Sequence, residues 1–168
     1  NGKAWAKSYP GARATCTYHR GRLYHMNGHG RLACLDAKTG DEIWAVPLLA
    51  RFHAPNVQWG ISECVLVVGD RVFAMTGGPE ALMVCLDAKT GKLLWQSPPL
   101  RFQRTQKFGG KPVDPPVADT DKAGYASPVL LTVGDRQLLA TASSRHLLLV
   151  DAKTGALVWT KELRVRHE

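Results

Sequence analysis

Residues whose types and spacing could do chemistry are few in this chain, and none forms a complete set. His25 and His29 flank a hairpin turn at a spacing that can chelate a metal. No Cys or carboxylate partner accompanies them, so they read as exposed turn residues and no metal site is expected. The four cysteines, Cys16, Cys34, Cys64 and Cys85, are never adjacent and form no Cys-x-x-Cys-His haem site. No G-x-S-x-G, P-loop, zinc-protease or dinucleotide fingerprint occurs. No residue is therefore assigned a catalytic role. A looser set suits binding rather than bond-making: Arg13, Thr15, Trp59, Ser62, Glu63, Tyr125 and Ser127. A guanidinium, a carboxylate, hydroxyls and two aromatics around one mouth would hold a small polar ligand or a peptide.

The elements that must position these residues follow from an internal repeat. Asp36-Ala-Lys-Thr-Gly40 is followed four residues on by Trp44, Asp87-Ala-Lys-Thr-Gly91 by Trp95, and Asp151-Ala-Lys-Thr-Gly155 by Trp159. Upstream of each copy, Arg20-Gly21-Arg22, Gly69-Asp70-Arg71 and Gly134-Asp135-Arg136 separate two short apolar runs. Such Gly/Asp steps between apolar runs are hairpin turns. Each unit reads as a four-stranded meander, with strands near 14–19, 22–26, 31–35 and 43–47, then 62–68, 71–76, 82–86 and 93–97, then 126–133, 136–141, 146–150 and 157–162. The third strands are apolar at nearly every position, which implies cover on both faces. The fold class is all-β, made of β-propeller blades in an incomplete ring of about three per chain. In the repeated turn, Asp bonds to backbone N–H groups just ahead and Gly supplies the positive φ. The Trp is expected to wedge between neighbouring blades with its N–H on a partner.

Composition agrees with a globular chain. Its 168 residues are 45% hydrophobic and 21% charged, with 16 Gly and 10 Pro, so turns are frequent and long helices are not expected. Twenty-two Lys and Arg against 14 Asp and Glu give a net charge of +8, but the excess is scattered, which argues against nucleic-acid binding. No apolar run approaches the roughly 20 residues of a membrane span.

The Asp-x-x-Thr-Gly-x-x-x-Trp blades resemble the pyrroloquinoline-quinone (PQQ)-like repeats of quinoprotein β-propellers. The resemblance is carried also by Gly30-Arg31-Leu32-Ala33-Cys34-Leu35-Asp36, Trp59-Gly60-Ile61-Ser62-Glu63 and Ala123-Gly124-Tyr125-Ala126-Ser127-Pro128. It covers Gly11 to Trp159 and includes both PQQ alcohol dehydrogenases and non-enzymatic propeller lipoproteins of outer-membrane barrel assembly. It implies a propeller fold, a binding or scaffold role without chemistry, and an extracytoplasmic site. Two alternatives stay open: part of a PQQ-dependent alcohol or sugar dehydrogenase, and a polysaccharide- or peptide-binding propeller. The dehydrogenases hold PQQ against a disulfide of adjacent cysteines with a calcium ion beside it. The chain lacks such a cysteine pair, so no cofactor is expected except under the dehydrogenase alternative, which needs PQQ and calcium.

Residues 1–9, with Trp5, read as the fourth strand of a preceding blade. Residues 10–47 form blade 1, 48–97 a linker and blade 2, 98–125 a long Pro-, Gly- and base-rich loop, 126–163 blade 3, and 164–168 a tail. Three blades do not close a ring. The expected partner is the rest of a larger propeller or another copy of the chain completing the ring. First strands line the channel, so the seven binding candidates, which lead into those strands, sit at its mouth on the variable-loop face. The stretch from Arg101 to Lys111 interleaves basic and aromatic residues and reads as a mobile surface excursion. The first and third strands of a blade lie roughly 9–10 Å apart, beyond disulfide reach, so four buried thiols are expected.

Overall fold

The fold is described from a computed structural model, which covers residues 12–106 and 111–163; the expectations placed on residues 1–9 and 164–168 lie outside these. Three four-stranded antiparallel sheets follow one another, each a meander in chain order. Blade 1 comprises β1 (Thr17–His19), β2 (Arg22–Met26), β3 (Arg31–Asp36) and β4 (Glu42–Pro47). A single-turn helix, α1 (Leu48–Arg51), leads away from it. Blade 2 comprises β5 (Leu66–Val68), β6 (Arg71–Met75), β7 (Met83–Asp87) and β8 (Leu93–Gln96). Blade 3 comprises β11 (Val129–Val133), β12 (Arg136–Ala142), β13 (His146–Asp151) and β14 (Leu157–Glu162). Between blades 2 and 3, β9 (Arg101–Gln106) and β10 (Pro112–Thr120) pair as a two-stranded antiparallel ribbon. The segment is thus ordered into strands rather than the irregular excursion its prolines suggest. Pro112, Pro115 and Pro116 sit on an edge strand, where a missing N–H costs no ladder bond.

The turn between third and fourth strands is built the same way three times. Asp36 Oδ1 accepts from the N–H groups of Lys38 (2.8 Å) and Thr39 (3.0 Å), and the Gly40 N–H closes on the Asp36 carbonyl at 2.9 Å. Asp87 and Asp151 repeat the pattern with Lys89 and Thr90, and with Lys153 and Thr154. The glycines take φ of +78°, +70° and +77°, a left-handed conformation that L side chains resist. In every blade the register shifts just beyond this turn, between Cys34 and Leu35, Cys85 and Leu86, and Leu149 and Val150. That bulge sets Trp44, Trp95 and Trp159 opposite Cys34, Cys85 and Leu149, on the face that carries Arg22, Arg71 and Arg136.

Those faces latch onto the next blade. The Ala88 carbonyl, in the repeated turn of blade 2, accepts from Trp44 Nε1 (3.1 Å), Tyr24 Oη (3.0 Å) and Arg22 Nη1 (3.2 Å) of blade 1. The Ala152 carbonyl of blade 3 accepts from Trp95 Nε1 and Arg71 Nη1 of blade 2, both at 3.2 Å. The indoles also lie on the turn glycines: a Cβ at Gly91 would stand 2.8 Å from Trp44 ring atoms, and one at Gly155 2.5 Å from Trp95 Cε3. Glycine is required there twice over, for its φ and for the room it leaves.

Burial follows from this stacking. All five residues from Leu82 to Leu86 are fully buried, because blade 2 lies between two neighbours. The outer face of blade 3 instead leaves Leu147 42% exposed, so cover on both faces does not extend to every third strand. The expectation of four buried thiols needs the same correction. Cys34 and Cys85 are buried, Cys64 is partly exposed and Cys16 is exposed, all four as free thiols. Cys16 and Cys64 precede β1 and β5, which begin later than the apolar runs suggest. The chain bonds across blades around these strand starts instead: Thr17 Oγ1 donates to the Val65 carbonyl (2.6 Å) and the Cys64 N–H to Ser127 Oγ (2.9 Å).

Candidate functional site

Four of the seven binding candidates line one cleft of about 380 Å³: Arg13, Trp59, Ser62 and Tyr125, together with Ala12 and Gly60. They come from the segments leading into the first strands of blades 1, 2 and 3 respectively. The link between blades 1 and 2 positions Trp59. Leu48, Leu49 and Phe52 of the α1 region are buried. Asn56 Nδ2 and the Ile61 N–H both donate to the Gly28 carbonyl of blade 1, at 2.9 and 3.1 Å. The Trp59 N–H donates to Tyr125 Oη at 3.3 Å, which ties the wall from blade 2 to the wall from blade 3. Trp59 and Tyr125 are 45% and 49% exposed, so their rings stand open to the cleft.

The other three candidates lie elsewhere. Thr15 is exposed outside the cleft. Ser127 is held by the Cys64 N–H and joins blades 2 and 3. Glu63 departs furthest from its expected place at the mouth. Its carboxylate is 1% exposed, and both oxygens accept from the Met75 N–H, at 3.1 and 3.0 Å. Burial pushes its pKa well above the usual carboxylate range, and the Met75 N–H offsets this only in part. Glu63 therefore ties the lead of β5 to β6 and is left out of the cleft. His25 is partly buried on β2 and His29 is exposed. Among the described residues no cluster of three or more His, Cys, Asp or Glu side chains could hold a metal ion. The cysteines present, and a Glu63 carboxylate already engaged inside blade 2, do not fit the PQQ–calcium arrangement that the resemblance implies.

A second cluster escaped the sequence reading. Asp121, 1% exposed, accepts from Ser143 Oγ, from Ser144 Oγ at 2.7 Å and from His146 Nδ1 at 2.7 Å. The residue types match a nucleophilic triad, but the connections do not. Both hydroxyls bond to the carboxylate, whereas an activated serine must give its proton to the imidazole. The geometry makes a clamp. The Asp121 carbonyl accepts from the Gly78 N–H of blade 2 (2.8 Å), and its side chain holds the turn between β12 and β13 of blade 3. Phe102 packs edge-on against His146 at 5.5 Å, so the ribbon is fixed at its base by the same group. No repeat or spacing announces this cluster, because Asp121 comes from the link after the ribbon and its partners from the turn and first residue of β13.

Four-stranded meanders latched blade to blade, with a cleft where their first strands begin, define a PQQ-like propeller segment. The family model described as outer membrane protein assembly factor BamB matches residues 2–168, and the chain belongs to that family. It is 26% identical over 175 residues to 1-butanol dehydrogenase (quinone) of Thauera butanivorans, covering 98% of this chain and 26% of that protein. It is 25% identical over 152 residues to outer membrane protein assembly factor BamB of Moranella endobia, covering 89% of this chain and 32% of that protein. Among solved structures, quinohemoprotein alcohol dehydrogenase from Comamonas testosteroni superimposes with a TM-score of 0.56 at 18% identity, covering 90% of this chain and 21% of that one; this likeness speaks for the fold. The chain thus spans about a quarter to a third of the length of these two curated relatives. No helix among the described residues is long and apolar enough to cross a membrane.

Proposed function

We propose that this chain is a scaffold segment of a PQQ-like propeller that binds an extended peptide in the cleft of Arg13, Trp59, Ser62 and Tyr125, without chemistry of its own. The observation that supports this reading is the convergence of leads from three successive blades on one open, aromatic-walled cleft. Two half-exposed rings offer rigid apolar area, and a guanidinium and a hydroxyl offer polar recognition, with no nucleophile–base pair lining the cleft among the described residues. An extracytoplasmic site belongs to the same proposal and rests on the family. The test is calorimetric titration of the chain with a panel of extended peptides and, in parallel, soluble oligosaccharides. Saturable peptide binding that weakens on Trp59→Ala or Tyr125→Ala, with unchanged circular dichroism, supports the reading. Binding of oligosaccharide alone, or peptide binding indifferent to both substitutions, refutes it.

The second reading is a portion of a quinone-linked alcohol dehydrogenase, favoured by similarity to the butanol dehydrogenase along 98% of this chain. Added PQQ and calcium would then co-purify with the chain and support dye-linked alcohol oxidation. No PQQ binding at high micromolar concentration eliminates it for these 168 residues.

A further inference from the structure

We infer that the hollow at the base of the ribbon, where Arg104, Lys122 and Arg145 converge, binds the phosphate group of a phosphate monoester. This site is separate from the peptide cleft and does not rest on it. Burial alternates along β9, with Phe102 and Arg104 half-buried between the exposed Arg101, Gln103 and Thr105. Arg104 thereby meets Lys122, from the link that follows β10, and Arg145, from the turn between β12 and β13, around a space of about 190 Å³. The walls are fixed by their own backbone bonds. The Lys122 carbonyl accepts from the Ser144 N–H at 3.0 Å, the Asp121 N–H donates to the Leu100 carbonyl at 2.8 Å, and the Arg145 carbonyl accepts from the Leu163 N–H at 2.7 Å. The Arg145 guanidinium lies over the Phe102 ring, 5.6 Å from its centroid, which holds the cation without neutralising it.

The charges around this hollow do not balance. Asp121 is 1% exposed, and four donors occupy its two oxygens: Ser144 Oγ and the Lys122 N–H on one, Ser143 Oγ and His146 Nδ1 on the other. Asp119 Oδ2 stands 3.4 Å from Arg104 Nε, a buried nitrogen that makes no hydrogen bond among the described residues. Lys122 and Arg145 pair with no carboxylate among the described residues. Two cations in excess, an ammonium and a guanidinium, suit a dianion. Cationic donors arriving from three separate segments suit a group with three acceptor oxygens set in a tetrahedron. A phosphate monoester carries that geometry and close to that charge at neutral pH, whereas a planar carboxylate offers two oxygens and a single charge.

Calorimetric titration of the whole chain with glycerol 3-phosphate at low salt tests this. Saturable binding is expected, weakening as salt is added. Lys122→Gln and Arg145→Gln each remove one of the unpaired cations and should raise Kd about tenfold, with unchanged circular dichroism. Lys122 is exposed, so its variant separates the charge from the fold. Sedimentation of the chain with phosphatidylcholine vesicles, with and without phosphatidic acid, distinguishes a lipid-borne phosphate from a free ester. Capture by the acid-containing vesicles that both substitutions weaken, or binding of the soluble ester alone, each upholds the site. Saturable binding of neither probe overturns the proposal. So does binding that both variants retain in full, since another surface then carries it. Succinate binding as tightly as glycerol 3-phosphate overturns the choice of a phosphate, because any dianion would then serve.

Discussion

Trp44, Trp95 and Trp159 occupy the same place in the same local sequence, so truncating each in turn separates the local turn from the contact between blades. Trp95→Ala removes a half-buried indole that packs at 5.8 Å from Phe73, covers Gly155 and donates to the Ala152 carbonyl. Deleting a fully buried tryptophan side chain costs about 3–5 kcal/mol, and the partial exposure here brings the expected loss to about 3 kcal/mol, hydrogen bond included. Trp44→Ala should cost somewhat less, about 2–3 kcal/mol, because Tyr24 and Arg22 still donate to Ala88. Trp159→Ala should cost under about 1 kcal/mol, since its indole is 48% exposed and receives no neighbouring blade among the described residues. Urea unfolding gives all three values. Equal losses at the three positions would refute the reasoning, because the energy would then reside in the turn and not in the contact between blades.

Glu63→Gln tests the buried carboxyl. A folded pKa above the unfolded value means that the wild type holds its full contribution below about pH 4.5 and loses it as pH rises towards the folded value. The glutamine variant should gain stability relative to wild type on going from pH 5 to 8; parallel denaturation curves at all pH values would contradict this. Asp36, Asp87 and Asp151 run the other way. Backbone and threonine donors hold Asp36 and Asp87 below the usual carboxylate range, and the Thr154 donors do the same for Asp151 against its partial burial. Their contribution is present above about pH 4 and is lost as pH falls below it, which acid unfolding of the three Asp→Asn variants would register. Gly155→Ala should destabilise more than Gly40→Ala, since both replace a positive φ but, among the described residues, an indole covers Gly155 and none covers Gly40; equal effects in denaturation would remove the steric argument. Asp121→Asn should cost about 3 kcal/mol by leaving His146 and two serines around a neutral amide, and should raise proteolysis of the ribbon. An unchanged digestion pattern would show that the clamp does not hold it.

The three meanders were legible before any coordinates because their determinants are local. An Asp side chain reaching N–H groups two and three residues ahead, a glycine free to take positive φ, and apolar runs between turns act within a dozen residues. Repetition then multiplied a weak signal by three. The ribbon was misread because proline counts describe composition, whereas β10 tolerates its prolines by lying on an edge.

The site was legible only as a list. That Trp59 and Tyr125 meet depends on how blade 2 sits against blade 3, 66 residues along the chain. Whether Glu63 faces the cleft or the core depends on parity: neighbouring side chains on an extended segment point to opposite sides, and Ser62 took the outward one. Asp121 gathers two serines from another turn and the histidine that opens β13, through no periodicity at all. Sequence by itself determined the blades and the chemistry of their latches, since both arise from bonds between near neighbours. Only tertiary structure decided which latches are filled, which carboxyl is buried and which side chains share a cleft, because those outcomes turn on the packing of whole sheets against one another.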